Sequence, residues 1–118
     1  ANFLPARLAA LLWIAAAGLA GFDAKNAWRI WRRDRFCHAS PNSAQTESAC
    51  AGALGVQLAG PAFYFGEYYD KPTIGDGSRP VEPADILRAN RMLYLAGFLA
   101  LGLGLALRLG VLALLRWI

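Results

Sequence analysis

A chain of 118 residues is long enough for one small domain, and 57% hydrophobic against 17% charged residues is more apolar than a soluble globular protein. A net charge of +4 does not support a nucleic-acid binder, because the basic cluster "RIWRRDR" sits beside an apolar helix, where such clusters face lipid headgroups. All eight acidic residues fall between Asp23 and Asp85, so an apolar segment flanks the polar middle on each side. That order predicts an all-α membrane protein: a two-helix transmembrane hairpin around a small irregular extramembrane region. Ten arginines against two lysines, with abundant Ala, Gly and Leu, fit a GC-rich bacterial genome and hence an inner membrane.

Residues 1–36 are predicted to form the first transmembrane helix with a protruding basic amphipathic extension. The uncharged run Leu8–Phe22 spans only about 22 Å of a core of roughly 30 Å. Phe3, Leu4 and Ala24 extend it, and Arg7 can snorkel to the membrane interface. Trp28 and Trp31 then fall at the opposite interface, where tryptophan is favoured. A secretory signal peptide shares several of these features. The segment is expected to be a retained anchor.

Residues 37–82 form the predicted extramembrane region. Cys37 and Cys50, joined by "HASPNSAQTESA", suggest a disulfide that closes a short loop and contributes about 3 kcal/mol. His38 follows Cys37, but the haem-attachment motif is absent. A metal set of Cys37, His38, Glu47 and Cys50 matches no zinc spacing. Neither metal nor cofactor is expected. The uncharged stretch Ser48–Gly66 is rich in glycine and a poor helix, so it is expected to be a packed part of the loop rather than a third crossing. Next comes "FYFGEYYDKP", where Phe63, Tyr64, Phe65, Tyr68 and Tyr69 crowd into seven residues. Such a run suits a contact surface, since aromatic rings dominate interface energetics.

Signatures of catalysis are missing. No phosphate-binding loop or dinucleotide fingerprint is present, and one histidine supports no nucleophile–base arrangement. Glu67, Asp70, Asp76, Glu82 and Asp85 read as solvated loop charges. A non-enzyme is expected.

Residues 83–118 are predicted to form the second transmembrane helix, starting at Pro83 and carrying an apolar stretch from Met92 to Leu115 that only Arg108 interrupts. Small residues form two rows, Ala96–Ala100–Gly104 and Gly102–Ala106–Gly110, which let a neighbouring helix approach closely. Arg108 extends the first row by one step, and a charge at that depth needs a partner or a path to the headgroups. Arg108, Gly102, Ala106 and Gly110 are therefore candidate partner contacts, with Arg116 and Trp117 at the membrane interface.

Sidedness draws on two opposed signals. Nine Lys and Arg in the middle favour a cytoplasmic loop, whereas a disulfide favours the periplasm. The disulfide argument places the loop in the periplasm and both termini in the cytoplasm. The functional expectation is a non-catalytic accessory or stabilising subunit of a larger integral membrane complex, in contact with lipid, with homo-oligomerisation left open. The alternative is a stand-alone immunity or exclusion protein. A homo-oligomeric pore is disfavoured, because Arg108 would be its one polar lining residue.

Overall fold

In the computed structural model, residues 2–37, 40–70 and 72–117 are described, apart from the side chains of Ala62, Tyr64 and Tyr69. Four helices and four short strands follow in the order α1 (Phe3–Leu19), α2 (Ala24–Asp34), α3 (Ala44–Leu54), β1 (Leu58–Ala59), β2 (Ala62–Tyr64), β3 (Glu67–Tyr69), β4 (Thr73–Ile74) and α4 (Ala84–Arg116). The fold is mostly helical, and α4 is the one helix among the described residues long and apolar enough to cross a membrane.

The first segment is not one long helix. Gly21 takes a positive φ of 84°, a conformation open to glycine, and ends α1. Asp23 then caps α2 by accepting the Asn26 N–H at 2.9 Å. The chain turns back on itself there. Ala17 packs with Ala27, Ala10 with Trp31, and the Arg7 guanidinium lies 5.7 Å from the Phe36 ring. α1 and α2 are thus antiparallel neighbours, so the basic segment folds against α1 instead of protruding from it.

α3 completes a three-helix core. Its composition is poor in large apolar residues, but that serves close packing. A Cβ at Gly52 would lie 2.6 Å from the Asn26 carbonyl oxygen, so only glycine lets α2 and α3 approach this closely. Ala44, Ala49 and Ala51 are buried on α3, while Gly55 at φ 69° terminates it in the left-handed region. A buried polar side chain locks the packing. Gln45 accepts the Trp31 indole N–H at 2.9 Å and donates to the Pro41 carbonyl at 3.1 Å. Half of the linker between the cysteines is therefore helix, and Ser48–Leu54 is core.

That placement corrects the disulfide. Cys37 and Cys50 are free thiols. Cys50 packs beside Ala17, Ala27 and Met92, whereas Cys37 packs beside Ala44, Ala51 and Ile74 in a separate cluster. Making α3 out of the linker puts the two sulfurs in different parts of the core.

Beyond α3, β1 pairs antiparallel with β4 (Leu58 opposite Ile74), and β2 with β3 (Phe63 opposite Tyr68). α4 then runs antiparallel to α1. Ala89 and Met92 meet the Ala17 cluster, and Ala96, Gly97 and Ala100 line a groove with Ala9, Leu12 and Trp13. From Leu101 onward the described residues of α4 are all exposed.

Candidate functional site

The polar residues of the middle segment converge on one strap, Gly75–Arg79, which runs over the helical core. At its start the Asp34 carboxylate, at the end of α2, accepts the Gly75 backbone N–H at 2.8 Å. Asp34 also receives two bonds from Arg33, each 2.8 Å. The Arg33 guanidinium holds the Asp34 carboxyl below its ordinary value; burial opposes this, and the Gly75 N–H adds to it. Gly75 sits at φ 90°, and a Cβ there would meet the Val56 carbonyl oxygen at 2.2 Å. Asp76 then bridges Arg29 and Arg33, whose side chains remain about half exposed.

At the far end Arg79 joins two helices. Its Nε donates to the Leu54 carbonyl at 3.1 Å, at the end of α3, and its two terminal nitrogens clasp both oxygens of Asp85 on α4. Arg88 pairs with the same carboxylate and with Glu82, each at 2.9 Å. Asp76, Glu82 and Asp85 are therefore ion-paired, which corrects their reading as solvated loop charges. Arg29 and Arg33, on the outer face of α2, are thereby tied to the strap, with Arg29 bonded also to Asn26 and Arg33 to Asp34.

Between β1 and β4 the chain projects the β2–β3 hairpin. Its two-residue turn, Phe65–Gly66, has positive φ at both positions (52° and 80°), as tight hairpins require. The Phe65 ring is fully exposed at the tip, and Phe63 and Tyr68 meet edge to face at 5.3 Å. The side chains of Tyr64 and Tyr69, like all of His38, lie outside the described residues. An open cleft of about 520 Å³ lies at the other end of the core, lined by Asn2, Ser40, Asn42, Ser43 and Thr46 among others.

The remaining predicted positions are dispersed. Trp28 is exposed, but Trp31 is buried against Ala10 and Ala49. Arg7 bends toward α3, bonding Asn42 Oδ1 at 3.1 Å and the Phe3 carbonyl at 2.9 Å. Gly102, Ala106, Arg108, Gly110, Arg116 and Trp117 lie on the exposed half of α4. At 3.6 residues per turn a four-residue step drifts by about 40°, so Arg108 points about 160° away from Met92. The row that starts at Ala96 therefore leaves the α1-facing side before it reaches Arg108. The sequence reading missed Asp34, Gly75 and Arg79. Their signal was the "GDG" turn followed by an arginine, with Asp34 an acid at the end of an otherwise basic helix.

A protein-family model described as "CobD/Cbib protein" matches residues 1–93, which contain the whole strap and hairpin. The chain is 51% identical over 111 residues to the "Cobalamin biosynthesis protein CbiB" of Salmonella typhimurium, covering 94% of this chain and 35% of that protein. It is 48% identical over 99 residues to the "Cobalamin biosynthesis protein CobD" of Desulfotalea psychrophila, covering 84% and 30%. For the protein of the same name from Clostridium perfringens the identity is 42% over 107 residues, covering 91% and 34%. The chain thus spans about a third of the length of these curated relatives. No solved structure matches it. These relatives overturn the accessory-subunit and immunity readings, and with them the expectation of a non-enzyme. The printed names of these relatives speak of cobalamin biosynthesis, a role that no catalytic motif in the sequence announced.

Proposed function

The chain belongs to the CobD/Cbib protein family, and from that premise we propose that it acts in cobalamin biosynthesis as part of a membrane-associated enzyme. The 51% identity to the Salmonella typhimurium protein across nearly the whole chain carries this reading. Within the chain, we assign substrate contact to the half-exposed guanidiniums of Arg29 and Arg33 on α2 and to the exposed rings of Phe63, Phe65 and Tyr68. Exposed cations and open aromatic faces together suit a large, partly apolar substrate that bears an anionic group.

We also propose that the polar body faces the cytoplasm of a bacterium, with α4 crossing the inner membrane. The disulfide was the argument for the periplasm, and both thiols are free. The nine Lys and Arg of the middle segment then support the cytoplasmic side.

A segment exchange tests the reading. This chain replaces the corresponding third of the Salmonella typhimurium protein in cells lacking their own copy, and cobalamin formation is measured. The hybrid is expected to restore cobalamin, and Arg29→Ala with Arg33→Ala to abolish it. A stably produced hybrid that makes no cobalamin overturns the proposal.

A further inference from the structure

We propose that Arg7 and Arg35 form a binding site for a phosphate group, beside the open cleft between α1 and α3. Four arginines of the polar body, Arg29, Arg33, Arg79 and Arg88, are ion-paired with acids. Arg7 and Arg35 form no ion pair among the described residues, although both are partly buried. Aromatic rings hold them instead. The Arg7 guanidinium lies 3.5 Å over the Phe3 ring, and that of Arg35 lies 4.7 Å from the Trp31 ring. Both also flank one ring, that of Phe36, at 5.7 and 4.9 Å. Two like charges are thus brought to a single ring with no carboxylate bonded to either. The site is distinct from the Arg29–Arg33 face, since Arg35 stands about 160° around the end of α2 from Arg33.

The donors left over define the ligand. Nη1 of Arg7 is spent on the Phe3 carbonyl and Asn42 Oδ1, which fixes the guanidinium and leaves Nη2 and Nε without a partner among the described residues. Arg35 makes no hydrogen bond among them, and even its buried Nε lacks an acceptor. The rings orient this cation, but no protein oxygen answers it, a costly state unless an outside acceptor does. Asn42 ties the pair to the cleft, because it holds Arg7 and also lines the cleft with Ser40, Ser43 and Thr46. These residues add hydroxyls and an amide at the N-terminal end of α3, where the helix dipole favours negative charge. Such a set offers more donors than the two oxygens of a carboxylate can use, and it matches the oxygens of a phosphate. A soluble phosphoester and a phospholipid headgroup carry the same group. Both can reach it, since Ala9 of α1 lines a groove with Ala100, next to the exposed half of α4.

Ligand-dependent melting tests this independently of cobalamin formation. The purified full chain in maltoside micelles is melted in rising inorganic phosphate, and in acetate at the same ionic strength. Phosphate is expected to raise the melting temperature saturably, and acetate to leave it unchanged. Arg7→Gln and Arg35→Gln are each expected to weaken the apparent phosphate affinity about tenfold or more, as the loss of a charge-assisted bond does. Arg35→Lys, which keeps the charge and loses the fork, is expected to weaken it less and guards against a glutamine variant that does not fold. Arg32→Gln removes an exposed charge from the same helix and is expected to change nothing. Nanodiscs then distinguish the sources. A phosphate response kept both in phosphatidylcholine and in an equal mixture with phosphatidic acid assigns a soluble ligand. A response lost only in the mixture assigns a lipid headgroup. Equal stabilisation by acetate, an equal loss in Arg32→Gln, or no response to phosphate in micelles and phosphatidylcholine overturns the proposal.

Discussion

The Asp34 carboxylate accepts the backbone N–H of Gly75 at 2.8 Å, across forty-one residues of chain, and so fastens the strap to the end of α2. The same carboxylate is paired with Arg33, and the Asp34 side chain is only 8% exposed. A buried acceptor that serves a cation and a backbone amide together is costly to neutralise. Asp34→Asn is expected to destabilise the fold by about 2 kcal/mol, the range for hydrogen bonds to charged groups. Thermal unfolding of the purified protein at neutral pH measures it.

The pH dependence has a definite sign. The folded carboxyl of Asp34 lies below its ordinary 3.8, so the folded state binds fewer protons than the unfolded chain in that region. Its contribution is complete above that ordinary value and is lost as pH falls through the lower folded value. Melting temperature is expected to drop below about pH 4, near the ordinary carboxylate range. The drop should be shallower in Asp34→Asn. An unchanged acid limb in the variant would assign the loss to other carboxylates.

The broad features of this fold were legible in the sequence: a mostly helical chain and a long apolar helix from about Pro83. Of the packed segment expected over Ser48–Gly66, Ser48–Leu54 is core, whereas Gln57, Phe63, Phe65 and Gly66 are exposed. Its turns were less so. Gly21 and Asp23 together form a helix stop and a helix start, but an uninterrupted apolar run hides them when hydropathy alone is followed. α3 was obscured for a different reason. Glycine weakens a helix by propensity, yet at Gly52 the missing Cβ permits the close approach to Asn26 and Ala27. Tertiary packing overrides propensity there. The candidate site depends on long-range pairing, Asp34 with Gly75 and Arg33 with Asp76, and spacing along the chain carries little trace of it.

Gly52 gives a sharp packing test. Added carbon at this position meets the backbone of α2 at 2.6–2.8 Å and Ile30 Cβ at 2.9 Å. Two helix backbones cannot shift without opening the core. Gly52→Ala is therefore expected to destabilise by about 3 kcal/mol, at the upper end of overpacking effects. Gly102→Ala, inside α4, has nothing within 4 Å to meet, and is expected to stabilise the helix by about 1 kcal/mol, the propensity gain of alanine over glycine. Paired denaturation curves check both.

The thiols report on the corrected core. Burial raises the Cys50 thiol to about 11, and the charges of Asp85 and Glu47 add to the effect. Little thiolate exists at neutral pH, so Cys50 is expected to react with maleimide slowly in the folded protein and rapidly once it is denatured. Gel mobility is expected to be the same with and without dithiothreitol. A mobility change on reduction would restore the disulfide and reopen the question of which side the polar body faces.

Phe65 separates stability from function. A phenylalanine at φ 52° is strained, and its fully exposed ring gains nothing from the core. Asparagine tolerates that conformation better, so Phe65→Asn is expected to stabilise the hairpin by about 1 kcal/mol, the scale of the left-handed penalty. If the ring contacts substrate, the same substitution lowers cobalamin formation in the segment-exchange hybrid while the protein becomes no less stable. A variant that is both more stable and fully active would remove the ring from the substrate-contact assignment. The two readouts have opposite signs because the strain is intrinsic to the turn, while the benefit of the ring arises only on contact. That combination, a gain in melting temperature with a loss of product, is the outcome expected.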